Sequence, residues 1–181
     1  MKLLILSDIH DHVYHLEAVL KVAPQVDHIL VCGDLCSPFV LVQLQQALTQ
    51  PIHIVFGNND GDTYRMTKLA AEHVHLYGEF ASLEFDDCHI AMTHYPDIAA
   101  AISGGNEFDL VCYGHNHIWS AKKVEGTILC NPGTMMGYNP GTRGKVSVSF
   151  ALYETKGKKL QHWELETENR AVRLLQNWNF D

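Results

Sequence analysis

Short apolar runs alternate with stretches of helical periodicity through the first third of the chain, and this alternation limits the folds that the sequence can adopt. The apolar runs predict buried strands at residues 3–6, 29–32 and 52–56. The stretches between and after them predict helices at residues 13–23, 38–48 and 63–72. Because strands separated by helices pair in parallel through crossover connections, this order predicts an α/β fold built on a parallel sheet.

The second half of the chain changes to the period of two that half-buried strands show. It predicts strands at residues 80–85, 88–93, 109–113, 118–124, 127–131, 145–153 and 158–166. Asp86 and Asp87 indicate a tight hairpin between the first two of these strands, and a short helix is predicted at residues 97–102. We therefore expect two packed sheets with helices outside them.

The last fifteen or so residues have a different pattern. Residues 1–166 are predicted to form one domain, and residues 167–181 a C-terminal tail. Four apolar residues of the tail fall on one possible helical face: Ala171, Leu174, Leu175 and Trp178. This spacing predicts a short helix docked on the domain, which we prefer to a partner-binding helix.

The charge balance excludes several classes of partner. Lys and Arg total 13 against 21 Asp and Glu, which gives a net charge of −8. An acidic chain is poorly suited to long nucleic acids or to membrane surfaces, both of which attract basic patches. No apolar run approaches the roughly 18 residues of a membrane-spanning helix, and the five cysteines lie mostly in apolar runs. We therefore expect a cytoplasmic protein that forms no disulfide framework.

Histidine is the exception in an otherwise average composition, with 12 copies. Several of these histidines, together with carboxylates and an amide, come directly after five of the predicted strands. The residues in question are Asp8, His10, Asp34, Asn58, His94, His115 and His117. Because ligands of open α/β sheets bind beyond the carboxyl ends of the strands, these side chains are predicted to meet at one place.

Carboxylate, amide oxygen and imidazole together suit Mn²⁺, Fe or Zn²⁺. Seven ligands are too many for one four-coordinate ion, but they suit two ions that share a bridging carboxylate. Two ions held close together are a device for in-line displacement at phosphorus. The pattern therefore predicts a dinuclear site for phosphoester hydrolysis.

The five motifs Asp-x-His, Gly-Asp, Gly-Asn-x-Asp, His and Gly-His-x-His, in this order, resemble the calcineurin-like metallophosphoesterases. The short chain and the segment Asn131-Pro132-Gly133-Thr134 are similar to the small prokaryotic phosphodiesterases of that family. The resemblance covers residues 2–166. It implies a four-layer αββα sandwich, the metallo-dependent phosphatase-like fold.

The resemblance also implies a ligand set and a metal. By the family pattern, Asp8, His10 and His117 hold one ion, Asn58, His94 and His115 hold the other, and Asp34 bridges them. The favoured metal is Mn²⁺, with Fe, Zn or Ni as alternatives. The implied activity is hydrolysis of a small phosphodiester by a metal-bound hydroxide.

One motif departs from the family pattern, where Gly-Asn-His-Asp is common and this chain has Asn59 at the third position. An amide can donate a hydrogen bond but cannot give up a proton at neutral pH, so the general acid stays unassigned. We take Asn59 and Asp60 as candidate catalytic residues, and Asn59 and His12 as candidate substrate-binding residues.

Two other functions stay open at this point. One is a non-catalytic scaffold for protein partners, the role of a eukaryotic retromer subunit of this fold. The other is a phosphomonoesterase or nuclease of the same fold. The complete ligand set favours an enzyme, the acidic charge disfavours a long polynucleotide, and assembly into homo-oligomers is left undecided.

Overall fold

The computed structural model describes residues 1–21 and 25–180. Its helices are α1 (Val13–Leu20), α2 (Pro38–Ala47), α3 (Thr63–Leu69) and α4 (Pro96–Ser103). The strands in the first half are β1 (Lys2–Leu6), β2 (His28–Cys32), β3 (Ile52–Val55), β4 (Val74–Leu76), β5 (Phe80–Phe85) and β6 (Cys88–Thr93). Those in the second half are β7 (Leu110–Cys112), β8 (Ser120–Val124), β9 (Thr127–Asn131), β10 (Tyr138–Asn139), β11 (Gly144–Lys145), β12 (Val148–Glu154), β13 (Lys159–Glu166) and β14 (Ala171–Asn179).

Two mixed sheets form the centre of the molecule. The larger has seven strands in the order β14-β13-β12-β1-β2-β3-β4, and the smaller has five in the order β5-β6-β7-β9-β8. Strands β1 to β4 pair in parallel, as do β6, β7 and β9, while β12 to β14 pair antiparallel. The mixed pairing arises because the first half is built from crossovers and the last strands from hairpins.

The layers follow from how successive residues of a strand face opposite sides. In β1, Leu3 and Ile5 point into the apolar layer between the two sheets, where residues of the smaller sheet such as Ile90 meet them. Leu4 and Leu6 point the other way, into a cluster shared with α1, α2 and α3. Helix α4 covers the outer face of the smaller sheet. The predicted four-layer αββα sandwich is confirmed.

Most of the predicted elements are present, with ends that differ by a few residues. The predicted hairpin at Asp86 and Asp87 is confirmed: both residues have positive φ, at 50° and 61°, and join β5 to β6. Helix α1 ends at Leu20, and residues 22 and 23 of its predicted span lie outside the described residues. Strand β4 was not predicted, because its three residues are too few to show a period.

The predicted helix in the tail is wrong. Residues Ala171–Asn179 form strand β14, which pairs antiparallel with β13 along the edge of the larger sheet. The turn before it sets this outcome: Arg170 has a φ of 56° and donates its backbone N–H to the carbonyl of Glu166. The side chain of Asn169 accepts from the backbone N–H of Ala171, which closes the hairpin. The tail is therefore part of the sheet.

None of the helices in the described part of the chain is long and apolar enough to cross a membrane.

Candidate metal centre

The loops that follow β1, β2 and β3 meet the loops that follow β6 and β7 at one edge of the sandwich. The backbone N–H of Gly114, after β7, donates to the carbonyl of His94, after β6. The backbone N–H of His115 donates to the carboxylate of Asp8, after β1, at 3.0 Å. The expectation that strand ends would bring these residues together is thus met by the fold.

The backbone of these loops is strained where the polar side chains stand. Positive φ is uncommon outside glycine and costs about 1–2 kcal/mol per residue. Five of the seven predicted ligands nevertheless have φ between 46° and 75°: Asp8, His10, Asp34, His115 and His117. Backbone hydrogen bonds between the loops hold this conformation, as the N–H groups of Ile9 and His10 both donate to the Asp34 carbonyl. Such strain is expected at a site where side chains must be aimed.

The loops also pack so closely that some positions have no room for a Cβ atom. A Cβ atom on Gly57 would collide with the carboxylate of Asp34, and one on Gly114 would collide with Ser7 and Asp8. Both glycines thus let backbone approach the buried carboxylates directly.

A first group of ligand atoms lies on the β1 side of the site. Nε2 of His10 and Nε2 of His117 are 3.0 Å apart, and His117 Nε2 is 3.3 Å from Asp8 Oδ1. Asp8 and His117 are buried, at 0% and 3% exposure. The three residues offer ligand atoms that all lie within 4.8 Å of one another.

A second group lies on the β6 side. Nδ1 of His115 is 2.9 Å from Asn58 Oδ1 and 3.3 Å from His94 Nε2. His94 is fully buried, whereas Asn58 and His115 are exposed at the mouth of the site. The site therefore has a buried floor and an open side.

The carboxylate of Asp34 lies between the two groups. Its Oδ2 atom is 3.4 Å from His10 Nε2 in the first group and 3.4 Å from His94 Nε2 in the second. Asn59 holds this carboxylate in place, since its backbone N–H donates to Oδ1 at 2.9 Å and its side-chain amide donates to Oδ2 at 2.8 Å. Asp34 thus lies equally near a histidine of each group, whereas Asp8 is 3.3 Å from His117 in the first group and 4.0 Å from His94 in the second.

The spacing of these atoms fits a pair of metal ions. Two ligands about 2.1 Å from one ion, at angles near 90–110°, are about 3.0–3.4 Å apart. The nitrogen–nitrogen distances of 3.0 Å between His10 and His117 and of 3.3 Å between His94 and His115 fall in that range. Imidazole nitrogens together with carboxylate and amide oxygens are donors that suit Mn²⁺, Fe and Zn²⁺. The residues present therefore fit the metal that the family pattern implies.

The far sides of three imidazole rings are also anchored. Nδ1 of His94 bonds to the carbonyl of Cys32 at 2.7 Å, and Nδ1 of His117 bonds to the carbonyl of Tyr138. Because a carbonyl can only accept, both rings carry hydrogen on Nδ1 and direct the Nε2 lone pair into the site. Nδ1 of His10 lies 3.3 Å from the Cys36 thiol, a contact that the sequence did not reveal.

The electrostatics favour a bound cation. Burial acts to raise the pKa of Asp8 and Asp34, but contacts with histidines outweigh burial and hold both pKa values below the usual range. Burial opposes the charged forms of His94 and His117, yet the two carboxylates raise the pKa of each ring above its usual value. The floor of the site thus keeps its negative charge and stabilises positive charge placed beside it.

Residues 131–134, at the end of β9 and directly after it, support two of the loops that carry predicted ligands. Thr134 donates its hydroxyl hydrogen to the carbonyl of Asp8 at 2.8 Å, and the Asn131 side chain donates to the carbonyl of Gly114 at 2.9 Å. Both residues are fully buried. The segment that carried part of the family resemblance therefore acts as a brace for two ligand loops.

The other predicted site residues have different surroundings. The carboxylate of Asp60 accepts backbone N–H groups from Asp34, Cys36 and Gly57 at 2.7–2.9 Å, so it ties together the loops after β2 and β3. Burial raises the pKa of Asp60. His12 precedes α1 and stacks on His15, with ring centroids 3.6 Å apart.

An open groove of about 680 Å³ lies over the site. It is lined by His10, Asp34, Asn58, Asn59, His115, Asn116, His117, Ile118, Met136, Asn139, Pro140, Gly141 and Thr142. His12 is not among these lining residues. Asn59 lines the groove, but its amide is directed to Asp34 rather than left free for a substrate.

Comparison with known proteins gives a consistent result. The sequence pattern of the calcineurin-like phosphoesterase superfamily domain matches residues 1–158. The chain is 30% identical over 173 residues to phosphodiesterase MJ0936 of Methanocaldococcus jannaschii, covering 92% of this chain and 100% of that relative. The structure of a novel archaeal phosphodiesterase matches with a TM-score of 0.81 and 26% identity, covering 91% of this chain and 100% of the other. Vps29 of Entamoeba histolytica, solved with Zn²⁺, shares the fold at a TM-score of 0.73 and 20% identity over 100% of both chains.

Proposed function

The chain belongs to the calcineurin-like phosphoesterase superfamily, and from that membership we propose that it is a phosphodiesterase that uses two divalent metal ions. The observation that carries the proposal is the position of Asp34, whose Oδ2 lies 3.4 Å from a histidine of each ligand group. A relative of similar length that is named a phosphodiesterase supports the reaction class.

The residues that would hold the ions are those of the two groups and the carboxylate between them: Asp8, His10 and His117; Asn58, His94 and His115; and Asp34. When bound, such ions supply positive charge that polarises phosphoryl oxygens and makes a water molecule more acidic. The protein fixes the ligand orientations through Thr134, Asn131, Asn59 and the carbonyl contacts of the rings.

The groove favours a diester over a monoester. A monoester dianion benefits most from a cationic clamp, whereas a diester carries one negative charge and a second ester group that a groove can hold. Among the described residues that line the groove, none is Lys or Arg. Amide groups of Asn59, Asn116 and Asn139 and the Thr142 hydroxyl can only form hydrogen bonds. The lining therefore suits a monoanionic substrate.

The lining of the groove also affects which leaving groups are cleaved fast. A positioned acid typically contributes 10²–10⁴-fold by protonating the leaving oxygen. The amides in the groove cannot act in this way, so we propose that good leaving groups such as aryl alcohols are cleaved far faster than alkyl alcohols. Oxygen and nitrogen ligands suit several metals, and among these Mn²⁺ is proposed because the family resemblance favours it. The buried cysteines fit a reducing compartment, and the cytoplasm is the proposed location.

The geometry of the metal centre argues against the non-catalytic alternative. A protein that only holds partners has no need for strained backbone at five ligands or for anchored imidazole rings. Those features cost free energy of folding, which a site used in chemistry explains.

The proposal is tested by a screen of activity against metals and substrates. The purified protein is freed of metal, supplied with Mn²⁺, Fe²⁺, Zn²⁺ or Ni²⁺, and assayed on bis(4-nitrophenyl) phosphate and 4-nitrophenyl phosphate. We expect hydrolysis only with metal, and higher kcat/KM for the diester. Equal or higher efficiency on the monoester would replace the diesterase proposal with a monoesterase, and hydrolysis without metal would overturn it.

A further inference from the structure

A second, smaller cavity adjoins the metal centre. It has a volume of about 190 Å³ and shares His117 and Ile118 with the groove described above. Its polar lining is provided by Ser147, Ser149, His162 and Glu164, and Trp119 forms an aromatic wall. A group placed in this cavity would therefore lie next to a metal ligand without touching the metals.

His162 is the distinctive residue of the cavity. It is only 8% exposed, and its Nε2 atom is buried with no hydrogen-bond partner among the described residues. The Trp119 ring stacks on it at 3.8 Å between centroids with 4° between planes, and the rings of Trp119 and Trp178 lie 5.5 Å apart. Burial lowers the pKa of His162 to about 4, so its ring is neutral at pH 7. A buried polar atom held rigid by stacking and left without a partner is costly unless a ligand or water meets it.

The size of the cavity argues against a single bridging water. A water molecule occupies about 30 Å³ of liquid, so 190 Å³ has room for roughly six non-hydrogen atoms. That is less than the volume of a drug-sized ligand site, but it fits a small organic group.

The charge of the cavity lining determines which kind of small chemical group the cavity can bind. Glu164, with its side chain 16% exposed, brings a carboxylate, and no Lys or Arg of the described chain lines the cavity. Because Glu164 pairs with Arg173 at 3.5 Å, the lining offers a phosphate or carboxylate group no uncompensated positive charge. Glu164 and the free lone pairs of the Ser149 hydroxyl, which donates to the Pro132 carbonyl, accept hydrogen bonds. The ring of His162 offers an unpaired nitrogen at Nε2. The lining therefore suits an uncharged group that carries hydroxyls.

We propose that this cavity binds the hydroxyl-bearing alcohol arm, about the size of glycerol, of the phosphodiester whose phosphoryl group lies at the metal centre. The proposal rests on the phosphodiesterase function given above, and it adds the substrate class. Hydrolysis would consume one water, break the P–O bond to the other arm, and leave the polyol arm esterified in the product.

The kinetic test compares two diesters with the same leaving group, 4-nitrophenyl glyceryl phosphate and 4-nitrophenyl propyl phosphate. Two hydrogen bonds of about 0.7 kcal/mol each total about 1.4 kcal/mol, which corresponds to a preference of about tenfold in kcat/KM for the glyceryl ester. His162→Phe keeps the stack on Trp119 and removes Nε2, and Glu164→Gln removes the carboxylate. Both should bring the ratio of the two kcat/KM values close to one.

Glu166→Gln is the matched control, because Glu164 and Glu166 both lie near Arg173 but only Glu164 lines the cavity. This control should keep the tenfold ratio. A ratio near one in the unmodified protein, or a ratio that His162→Phe and Glu164→Gln both leave unchanged, would overturn the proposed subsite while leaving the phosphodiesterase intact.

A binding measurement decides the point without any hydrolysis. The purified protein is titrated with glycerol and, in parallel, with 1-propanol, and tryptophan fluorescence is followed. We expect a saturable change with glycerol alone, retained in Glu166→Gln and lost in Glu164→Gln. Absence of a saturable change with glycerol would contradict the subsite, whether or not the protein hydrolyses diesters. A saturable change without diester hydrolysis would overturn the proposed function and keep the polyol site.

Discussion

Two groups of histidines in this molecule show how differently the same side chain can be used. In the metal centre, the rings of His10, His94 and His117 meet the carboxylates of Asp8 and Asp34, and the ring of His115 contacts His94. The histidines of the other group, which we call the strand histidines, are His28, His53 and His75, and they lie within β2, β3 and β4. His28 Nδ1 is 3.1 Å from His53 Nε2, and the rings of His53 and His75 are 5.0 Å apart.

The carboxylates make the difference. Burial lowers the pKa of His28 and brings that of His53 to about 4, with no carboxylate contact to counter it at His53. In the metal centre, by contrast, the pKa values of His94 and His117 are raised. Within residues 1–21 and 25–180, the groups of three or more His, Cys, Asp or Glu side chains whose ligand atoms lie within 4.8 Å of one another all include Asp8. The neutral form is thus favoured at His28 and His53, and a cation site needs carboxylates beside the imidazoles.

The largest effect is expected when the shared carboxylate loses its charge. In Asp34→Asn both ligand groups lose one negative ligand. Residues that contact only the ligands of a metal site typically contribute roughly 10–100-fold to activity. We predict a larger fall than that in the diesterase kcat/KM of Asp34→Asn. Metal content, measured by elemental analysis, should fall as well. His53→Gln, in the strand histidines, is the control and should keep both. Full metal content and rate in Asp34→Asn would show that this carboxylate does not bridge.

A smaller effect is expected from the residue that orients Asp34. Asn59→Ala removes the 2.8 Å hydrogen bond to Oδ2 but leaves the backbone bond to Oδ1. We predict that the metal concentration for half-maximal activity rises by about 10–100-fold, with a smaller change in the rate at saturating metal. If the rate falls at saturating metal while the metal requirement stays the same, Asn59 acts on the substrate instead, as the sequence motif suggested.

The strand histidines should affect stability, not catalysis. The pKa of His53 in the folded protein, about 4, lies below the usual 6.5, so the unfolded chain binds more protons between these values. The contribution of a neutral His53 is complete above about pH 6.5 and is lost progressively as the pH falls towards 4. His53→Gln keeps hydrogen bonding but cannot titrate, so it should reduce the loss of unfolding free energy by about 1–2 kcal/mol. Urea denaturation of both proteins at pH 7 and pH 4.5 measures this difference, and identical losses would contradict it.

The sequence predicted which residues meet at this site because polar residues at the ends of apolar strands have few structural reasons to be there. It could not predict the contacts that aim them. The partners of His94 and His117 are backbone carbonyls of Cys32 and Tyr138, which carry no side-chain signal. Likewise, nothing in the motif says whether the Asn59 amide faces a substrate or the Asp34 carboxylate.

The tail shows a different limit of sequence reasoning. Leu174, Leu175 and Trp178 recur at a spacing that a helix would place on one face, yet Leu174 and Leu175 are 43% and 41% exposed in the strand. The turn at residues 167–170 and the free edge of β13 make the tail a strand. The position of that edge is known only once the sheet is assembled.

The central claim, that the metal centre binds two ions across one carboxylate, is tested most directly by titration of metal-free protein with Mn²⁺. Bound metal is measured by elemental analysis, and hydrolysis of bis(4-nitrophenyl) phosphate is measured on the same samples. We predict saturation at two ions per chain, with the rate rising only as the second ion binds, and binding of fewer than two in Asp34→Asn. Full activity with a single ion per chain, or saturation at two ions in Asp34→Asn, would contradict the claim.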